Sequence, residues 1–290
     1  AETHNNLGNV LRELGRLEKS EWYARFAYIE ADDAYFDLDQ RREISRKAFD
    51  ATFRHVGCKS IHNAKTKVEA SRCFDENRQA MGARVLMGLA YAAGESALIT
   101  REGGVYGNRW RDARPVVDRW HAGMDIRLWQ EHVELLLPDP LERAHALDVM
   151  AFKLRHPEVK INHAILHGGT QGCGKDTLWA PFFWSVCGPA PFRNRGELDG
   201  KSIVTQWGYM LESEILIINE LREPEAAQRR QLSNALKPIV AAPPLVLTIN
   251  RKNLHPYDAL NRLLAIAFTN DRAPLQLERQ DRRWFAAWST

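Results

Sequence analysis

The sequence contains no run of about 18 apolar residues, so we expect no membrane-spanning helix. Its N-terminus is polar and mixed in charge, which predicts no signal peptide. Cysteine is scarce, with 4 in 290 residues, which argues against a disulfide framework and predicts a reducing cytoplasm. Cys58, His62 and Cys73 have no evident fourth partner, so we do not expect structural zinc. The net charge is only +3, so any contact with nucleic acid requires a local basic patch.

The most informative segment that is present runs from Gly168 to Thr177, GGTQGCGKDT. A short apolar run precedes it and a helical run follows, which is the strand, loop and helix context of a phosphate-binding loop. Gly169, Gly172 and Gly174 allow backbone N–H groups to turn toward a phosphate. Lys175 follows them at the spacing G-x-x-x-x-G-K and carries the point charge for the outer phosphates. The segment therefore predicts binding of a nucleoside triphosphate, with a chance glycine-rich turn as the alternative.

Two residues after the lysine depart from this motif. Asp176 stands where a serine or threonine usually binds magnesium, and Thr177 comes one position late. We expect ATP and Mg²⁺ as cofactors. Asp176 is assigned to ATP binding, and Thr177 is assigned to both ATP and the metal.

The pattern of apolar segments predicts an α/β fold. Near-continuous apolar strands alternate with helices after residue 160, which is typical of a central parallel sheet. Strands are predicted at 163–167, 214–219, 245–249 and 263–270, and helices from 175 and over 223–240. Two helical segments, 125–137 and 141–154, lead into this core. Residues 1–125 are predicted to form a small mixed α+β and helical accessory module, and residues 126–290 an ATPase domain.

Polar side chains stand at the ends of two predicted core strands. In parallel sheets ligands bind at the carboxyl ends of strands, so Glu220 and Asn270 should face the same crevice as Lys175. Glu220 is a candidate to orient and deprotonate an attacking water, and Asn270 to hydrogen-bond the γ-phosphate. An amide such as that of Asn219 can hold a magnesium-bound water but adds no charge. The residues that we expect to hold the metal are Thr177, Asn219 and Glu220.

Basic residues occur at two further places. Arg251, Lys252 and Asn253, with His255 close by, form a polar tip between two extended runs and are candidates to contact a phosphate backbone. Arg282 and Arg283 are candidates to stabilise phosphoryl transfer from a neighbouring subunit. A solvated surface is the alternative for both groups.

The order of these motifs resembles the superfamily 3 helicases, which are AAA+ ring ATPases of viruses, phages and plasmids. The closest likeness is to the helicase part of phage and plasmid primase-helicases of the poxvirus-like type. GTQGCGKDT, ILIINEL, LTINRKN, IAFTN and DRRWF carry it, in that order. SRKAFDATF and YGNRW extend the resemblance loosely toward the N-terminus.

The resemblance implies an AAA+ P-loop core and an ATP-driven, hexameric DNA translocase that moves 3′ to 5′. It implies that Lys175 and Thr177 bind the nucleotide and magnesium, that Glu220 is the catalytic carboxylate and Asn270 the polar sensor. Lys252 matches the hairpin that grips one DNA strand, and Arg282 or Arg283 the arginine that acts across subunits. The expected partners are single-stranded or forked DNA and further copies of the chain, in the cytoplasm of a bacterial host.

The chain begins with alanine and shows no convincing primase carboxylates, so it is expected to be the helicase part of a longer protein with a primase or polymerase module. Residues 1–125 are expected to act as a collar, in oligomerisation or in DNA binding. Two alternatives remain. The first is a P-loop kinase of nucleotides or small metabolites, because GCGKDT resembles the loop of nucleotide kinases, in which one residue also separates the lysine from the threonine. The second is an ATP-binding replication initiator without helicase turnover.

Overall fold

The structure is a computed structural model. It describes residues 18–63, 65–101, 103–116, 125–189, 193–199, 208–221, 226–250, 255–278 and 280–289. The basic tip Arg251, Lys252 and Asn253 lies outside the described residues. The chain divides into two compact units, of which the first comprises residues 1–90 and 95–111, and the second residues 91–94 and 112–290.

The first unit is an α+β module built on two small sheets. Its elements are α1 Lys19–Arg25, β1 Phe26–Ile29, β2 Ala34–Asp37, β3 Arg42–Ser45, α2 Arg46–Thr52, α3 Ala70–Asn77, β4 Val85–Leu86, β5 Gly88–Ala90, β6 Leu98–Arg101 and β7 Gly104–Asn108. In the first sheet, the antiparallel strands β1, β2 and β3 are extended by the short parallel strand β4, in the order β3-β2-β1-β4. The second sheet has the order β5-β7-β6.

Aromatic packing holds the first unit together. The ring of Phe49 lies within 5.4 Å of those of Trp22, Phe26 and Tyr35, and all four side chains are fully buried. Aromatic pairs of this kind add stability beyond the area they bury. Ser45 caps the start of α2, because its Oγ accepts a hydrogen bond from the Ala48 amide at 3.3 Å.

The second unit is an α/β core around a five-stranded parallel sheet. Its first strands and helices are α4 Arg127–Leu136, α5 Pro140–Arg155, β8 Ala164–Gly169, α6 Lys175–Cys187, β9 Arg195–Asp199 and, after a short 3₁₀ helix at Tyr209–Leu211, β10 Ile215–Asn219. The remaining elements are α7 Ala226–Val240, β11 Val246–Ile249, β12 Tyr257–Leu260, β13 Leu264–Thr269 and β14 Trp284–Ser289. The strand order of the sheet is β14-β8-β13-β10-β9.

Helices cover both faces of this sheet. Alternate residues of β10 and β13 face a cluster with α4, α5 and α6, and the residues between them face a cluster with α7. Strands buried on both faces must be apolar throughout, which explains runs such as ILII at 215–218. The predicted α/β class with a central parallel sheet and an N-terminal α+β module is confirmed. No helix in the described part of the chain is long and apolar enough to cross a membrane.

Candidate functional site

The glycine-rich segment forms the turn between β8 and the start of α6. Gly172 and Gly174 have φ values of +76° and +96°, in the left-handed region that favours glycine. A β-carbon at Gly174 would also lie 2.7 Å from Cε1 of His132 on α4. The turn therefore requires glycine at position 174, both for its backbone angle and for the space beside it.

Lys175 is the first residue of α6 and its side chain lies inside the turn. It is only 8% exposed. Its Nζ donates hydrogen bonds to the carbonyl oxygens of Gly169 at 3.0 Å and Thr170 at 2.9 Å, and to Oδ1 of Asn270 at 3.1 Å. The structure thus brings together the loop lysine and the strand-end asparagine, which are 95 positions apart in the sequence.

A cleft of about 750 Å³ opens beside this lysine at the carboxyl ends of the strands. The residues that line it are Gln171, Gly172, Lys175, Asp176, Ala180, Phe183, Trp184, Arg195, Glu197, Asp199, Ile217, Asn219, Glu220, Phe268, Thr269 and Asn270. Among the described residues of this lining, four are carboxylates and two are cations, so this part of the cleft carries excess negative charge. An anionic ligand such as a polyphosphate needs a cation to bind here.

Glu220 follows β10 in a left-handed conformation, with φ +48°. This conformation is uncommon for a residue with a β-carbon and is kept only where neighbouring contacts fix it. The next residue supplies those contacts: the Leu221 amide donates to Phe268 O at 2.9 Å, and Thr269 Oγ1 donates to Leu221 O at 2.8 Å. The exposed Glu220 carboxylate is therefore presented to the cleft from a backbone tied to β13.

Two acidic residues of the cleft were missed from the sequence, Glu197 and Asp199 on β9. Asn219 Nδ2 donates to Glu197 Oε1 at 2.6 Å, and Arg195 Nη2 donates to Glu197 Oε2 at 3.1 Å. β9 lies at one edge of the described sheet, and its RGELD segment alternates charged with other residues, so it lacks the apolar run that marks the buried strands. The alternation itself was the available signal.

Two side chains of α4 hold the start of α6. His132 Nε2 lies 3.0 Å from Gly174 O, and Trp129 Nε1 donates to Leu178 O at 3.0 Å. Neither was predicted from the sequence, since each contact spans more than 40 residues and leaves no local pattern.

A buried hydrogen-bond chain lies behind the loop. Trp179 Nε1 donates to His167 Nδ1 at 2.9 Å, which leaves the imidazole proton on Nε2, 2.8 Å from Ser289 Oγ. Ser289 Oγ donates in turn to Leu136 O at 2.8 Å. Burial, and next the charge of Lys175, lower the pKa of His167 from 6.5 to about 4. His167 is therefore neutral at physiological pH and joins α6, β8, β14 and α4.

Some predicted site residues lie elsewhere. Thr177 is exposed and is not among the residues that line the cleft, whereas Asp176 is. Arg282 and Arg283 precede β14, next to the start of β8, where Ala164 N donates to Arg283 O at 2.8 Å. They are thus separated from Lys175 by the length of the six-residue β8, about 20 Å. His255 is exposed before β12, in the connection of the antiparallel β11–β12 hairpin.

The cleft offers oxygen ligands suited to magnesium. Asp176, Asn219, Glu220 and Asn270 provide carboxylate and amide oxygens, the donors that hard cations prefer. Within the described ranges, no group of three or more His, Cys, Asp or Glu side chains is arranged to hold a metal ion alone. These residues therefore fit a magnesium ion that shares its ligands with the phosphates of a nucleotide, as is usual for this metal.

The fold and the loop together define an α/β protein with a P-loop-like core. Residues 166–283 match a family of unknown function (DUF5906), which spans the loop, the cleft and the arginine pair. No curated protein sequence matches the chain significantly.

Solved structures of the NrS-1 C terminal region share the fold. The apo structure of region 305-718 aligns with a TM-score of 0.69 at 17% identity, over 94% of this chain and 62% of that one. Two A-form apo structures of the same region align with a TM-score of 0.64 each, at 18% and 17% identity, over 91% of this chain and 58% and 57% of theirs. The chain thus spans about three-fifths of the length of these structures, and the likeness at this identity is one of fold.

Proposed function

We propose that this chain is an ATP-driven DNA helicase of the superfamily 3, AAA+ type that acts in phage or plasmid DNA replication. The observation that carries the proposal is the 3.1 Å hydrogen bond from Lys175 Nζ to Asn270 Oδ1, in the cleft that Glu220 also lines. A loop lysine, a strand-end carboxylate and a strand-end amide at one phosphate site are the set that triphosphate hydrolysis uses. The fold shared with the NrS-1 C terminal region is consistent with the P-loop-like core that the proposal requires.

In this proposal each residue acts through its position. The loop N–H groups and Lys175 hold the β- and γ-phosphates, and Asn270 hydrogen-bonds the γ-phosphate once Lys175 turns from it to the nucleotide. Glu220 orients the attacking water and accepts its proton. Asp176 and Asn219 would help to hold a magnesium ion bound with the nucleotide, which would neutralise charge on the phosphates.

Arginines from a neighbouring copy complete the site. Arg282 is exposed and forms no hydrogen bond or ion pair with a described residue, whereas Arg283 Nε donates to Asp281 Oδ1 at 2.9 Å. Because both lie at the far end of the sheet from Lys175, neither reaches the phosphates of its own chain. A closed ring, with one copy's arginine at the next copy's nucleotide, resolves this separation.

The β11–β12 hairpin grips DNA in this scheme. The strands β11 and β12 end at the antiparallel pair Ile249 and Tyr257, and Lys252 lies between these two residues in the sequence. Phosphate contacts of this kind bind DNA irrespective of sequence. Lys252→Ala is expected to slow unwinding of a forked DNA while the ATPase rate without DNA stays near that of the wild type.

The proposal is tested by measuring molar mass with and without ATP and forked DNA, together with ATP turnover in the same samples. We expect assembly into a hexameric ring and turnover stimulated by DNA. A strictly monomeric, DNA-indifferent enzyme would instead indicate a small-molecule kinase. ATP binding without DNA-stimulated turnover would indicate a replication initiator.

A further inference from the structure

The strand-end position that normally provides an acidic magnesium partner in P-loop enzymes is an amide here, Asn219. An amide oxygen orients a metal-bound water but adds no negative charge. The Nδ2 atom of Asn219 donates a hydrogen bond to Glu197 Oε1 at 2.6 Å. The amide therefore contacts a carboxylate through its nitrogen, and its Oδ1 is the atom suited to a metal or a metal-bound water.

Glu197 is fixed although its side chain is 51% exposed. Both of its oxygens are engaged, Oε1 by Asn219 and Oε2 by Arg195 Nη2 at 3.1 Å. The guanidinium of Arg195 lies over the ring of Phe183 on α6, 5.7 Å from its centroid. The register of β9 and β10 explains why Glu197 and Asn219 are in contact. Glu197 pairs with Ile217 and Asp199 pairs with Asn219, so these side chains lie on the same face of the sheet.

We propose that Glu197 is a positioning residue for the metal-bound nucleotide, which acts through Asn219 and supplies the negative charge that Asn219 lacks. The inference rests on the proposed nucleotide site. In this proposal the carboxylate stands on the neighbouring strand β9 rather than at position 219, and the Asn219–Glu197 pair takes the role of a single aspartate. Groups that orient a ligand from outside the metal shell typically change metal affinity by about 10- to 100-fold.

The test separates charge from hydrogen bonding. Glu197→Gln keeps an oxygen that accepts from Asn219 Nδ2 and removes only the charge. The double variant E197Q/N219D returns one carboxylate to the end of β10 and keeps an amide–carboxylate hydrogen bond in the reverse direction. Asp148→Asn, an exposed carboxylate change on α5, is the matched control. Thermal melting verifies that each variant is folded.

The measurement is binding of a fluorescent ATP analogue across a magnesium titration. Glu197→Gln is expected to need about tenfold more magnesium for half-maximal binding, with magnesium-free binding no weaker than in the wild type because the substitution removes negative charge from the cleft. E197Q/N219D is expected to recover most of the wild-type dependence, and Asp148→Asn all of it.

Two results would overturn the inference while the wild type binds the analogue: an unchanged magnesium requirement in folded Glu197→Gln, or a folded E197Q/N219D no better than Glu197→Gln. A wild-type chain that binds no analogue at any magnesium concentration would overturn the proposed function itself.

Discussion

Acid should weaken the core through His167. This side chain is fully buried, accepts a hydrogen bond from Trp179 Nε1 at 2.9 Å, and lies 2.8 Å from Ser289 Oγ. A proton on Nδ1 would face the indole N–H, so protonation breaks the chain of bonds behind the phosphate loop. The perturbation that isolates this effect is His167→Gln, which removes the titrating group and keeps a polar side chain.

The magnitude follows from the pKa of His167, which is about 4 in the folded chain against 6.5 for an ordinary histidine. Between these values the unfolded state binds more protons, so stability is complete above pH 6.5 and falls as the pH drops toward 4. From about pH 7.5 to about pH 5 this single group removes about 2 kcal/mol from the free energy of unfolding.

The assay is urea unfolding of wild type and His167→Gln at both pH values, with His255→Gln as the control because His255 is exposed. The difference in unfolding free energy between wild type and His167→Gln should shrink at low pH by about 2 kcal/mol. The control should follow the wild type. An identical pH dependence in wild type and His167→Gln would refute the neutral, buried state of His167.

Two other substitutions test the loop and the opposite end of the sheet. Gly174→Ala forces a β-carbon into a left-handed residue 2.7 Å from His132, so we expect weaker binding of an ATP analogue and a loss of at least about 1 kcal/mol of stability. Gly57→Ala is the control, because the β-carbon that it adds would lie in open space. Lys160 donates to two carbonyls at 2.8 Å, and burial, with the charge of Lys153, lowers its pKa from 10.5 to about 7. Lys160→Met should lower the free energy of unfolding in urea by about 1–3 kcal/mol. In the wild type, Lys160 makes the free energy of unfolding rise as the pH increases from about 7 to 10.5, and this rise should be absent in Lys160→Met.

The buried strands of the core could be predicted because their environment leaves a local signature. β8, β10 and β13 are covered on both faces, so their residues are apolar or small until the strand ends, with the hydrogen-bonded His167 of β8 as an exception. The Lys175 turn is equally local, since its glycines and lysine are contiguous. The polar strand ends followed from topology, because parallel strands end at the same edge of the sheet.

The parts that escaped prediction depend on contacts distant in sequence. β9 lies at one edge of the sheet and carries three charged residues, so its sequence has no apolar run that would predict a strand. The Asn219–Glu197 bond and the His132 contact join elements whose proximity only the folded sheet creates. The resemblance assigned Thr177 to magnesium and to ATP; Thr177 is not among the residues that line the cleft, whereas Asp176, which was assigned to ATP, is.

The most direct test of the account is steady-state ATP hydrolysis by wild type and Lys175→Ala, each with and without single-stranded DNA. Lys175 contacts the loop and Asn270 but lies outside the hydrophobic clusters of the core, so the variant should remain folded. The account predicts DNA-stimulated hydrolysis by wild type and its loss in Lys175→Ala. Hydrolysis by Lys175→Ala at the wild-type rate would contradict it.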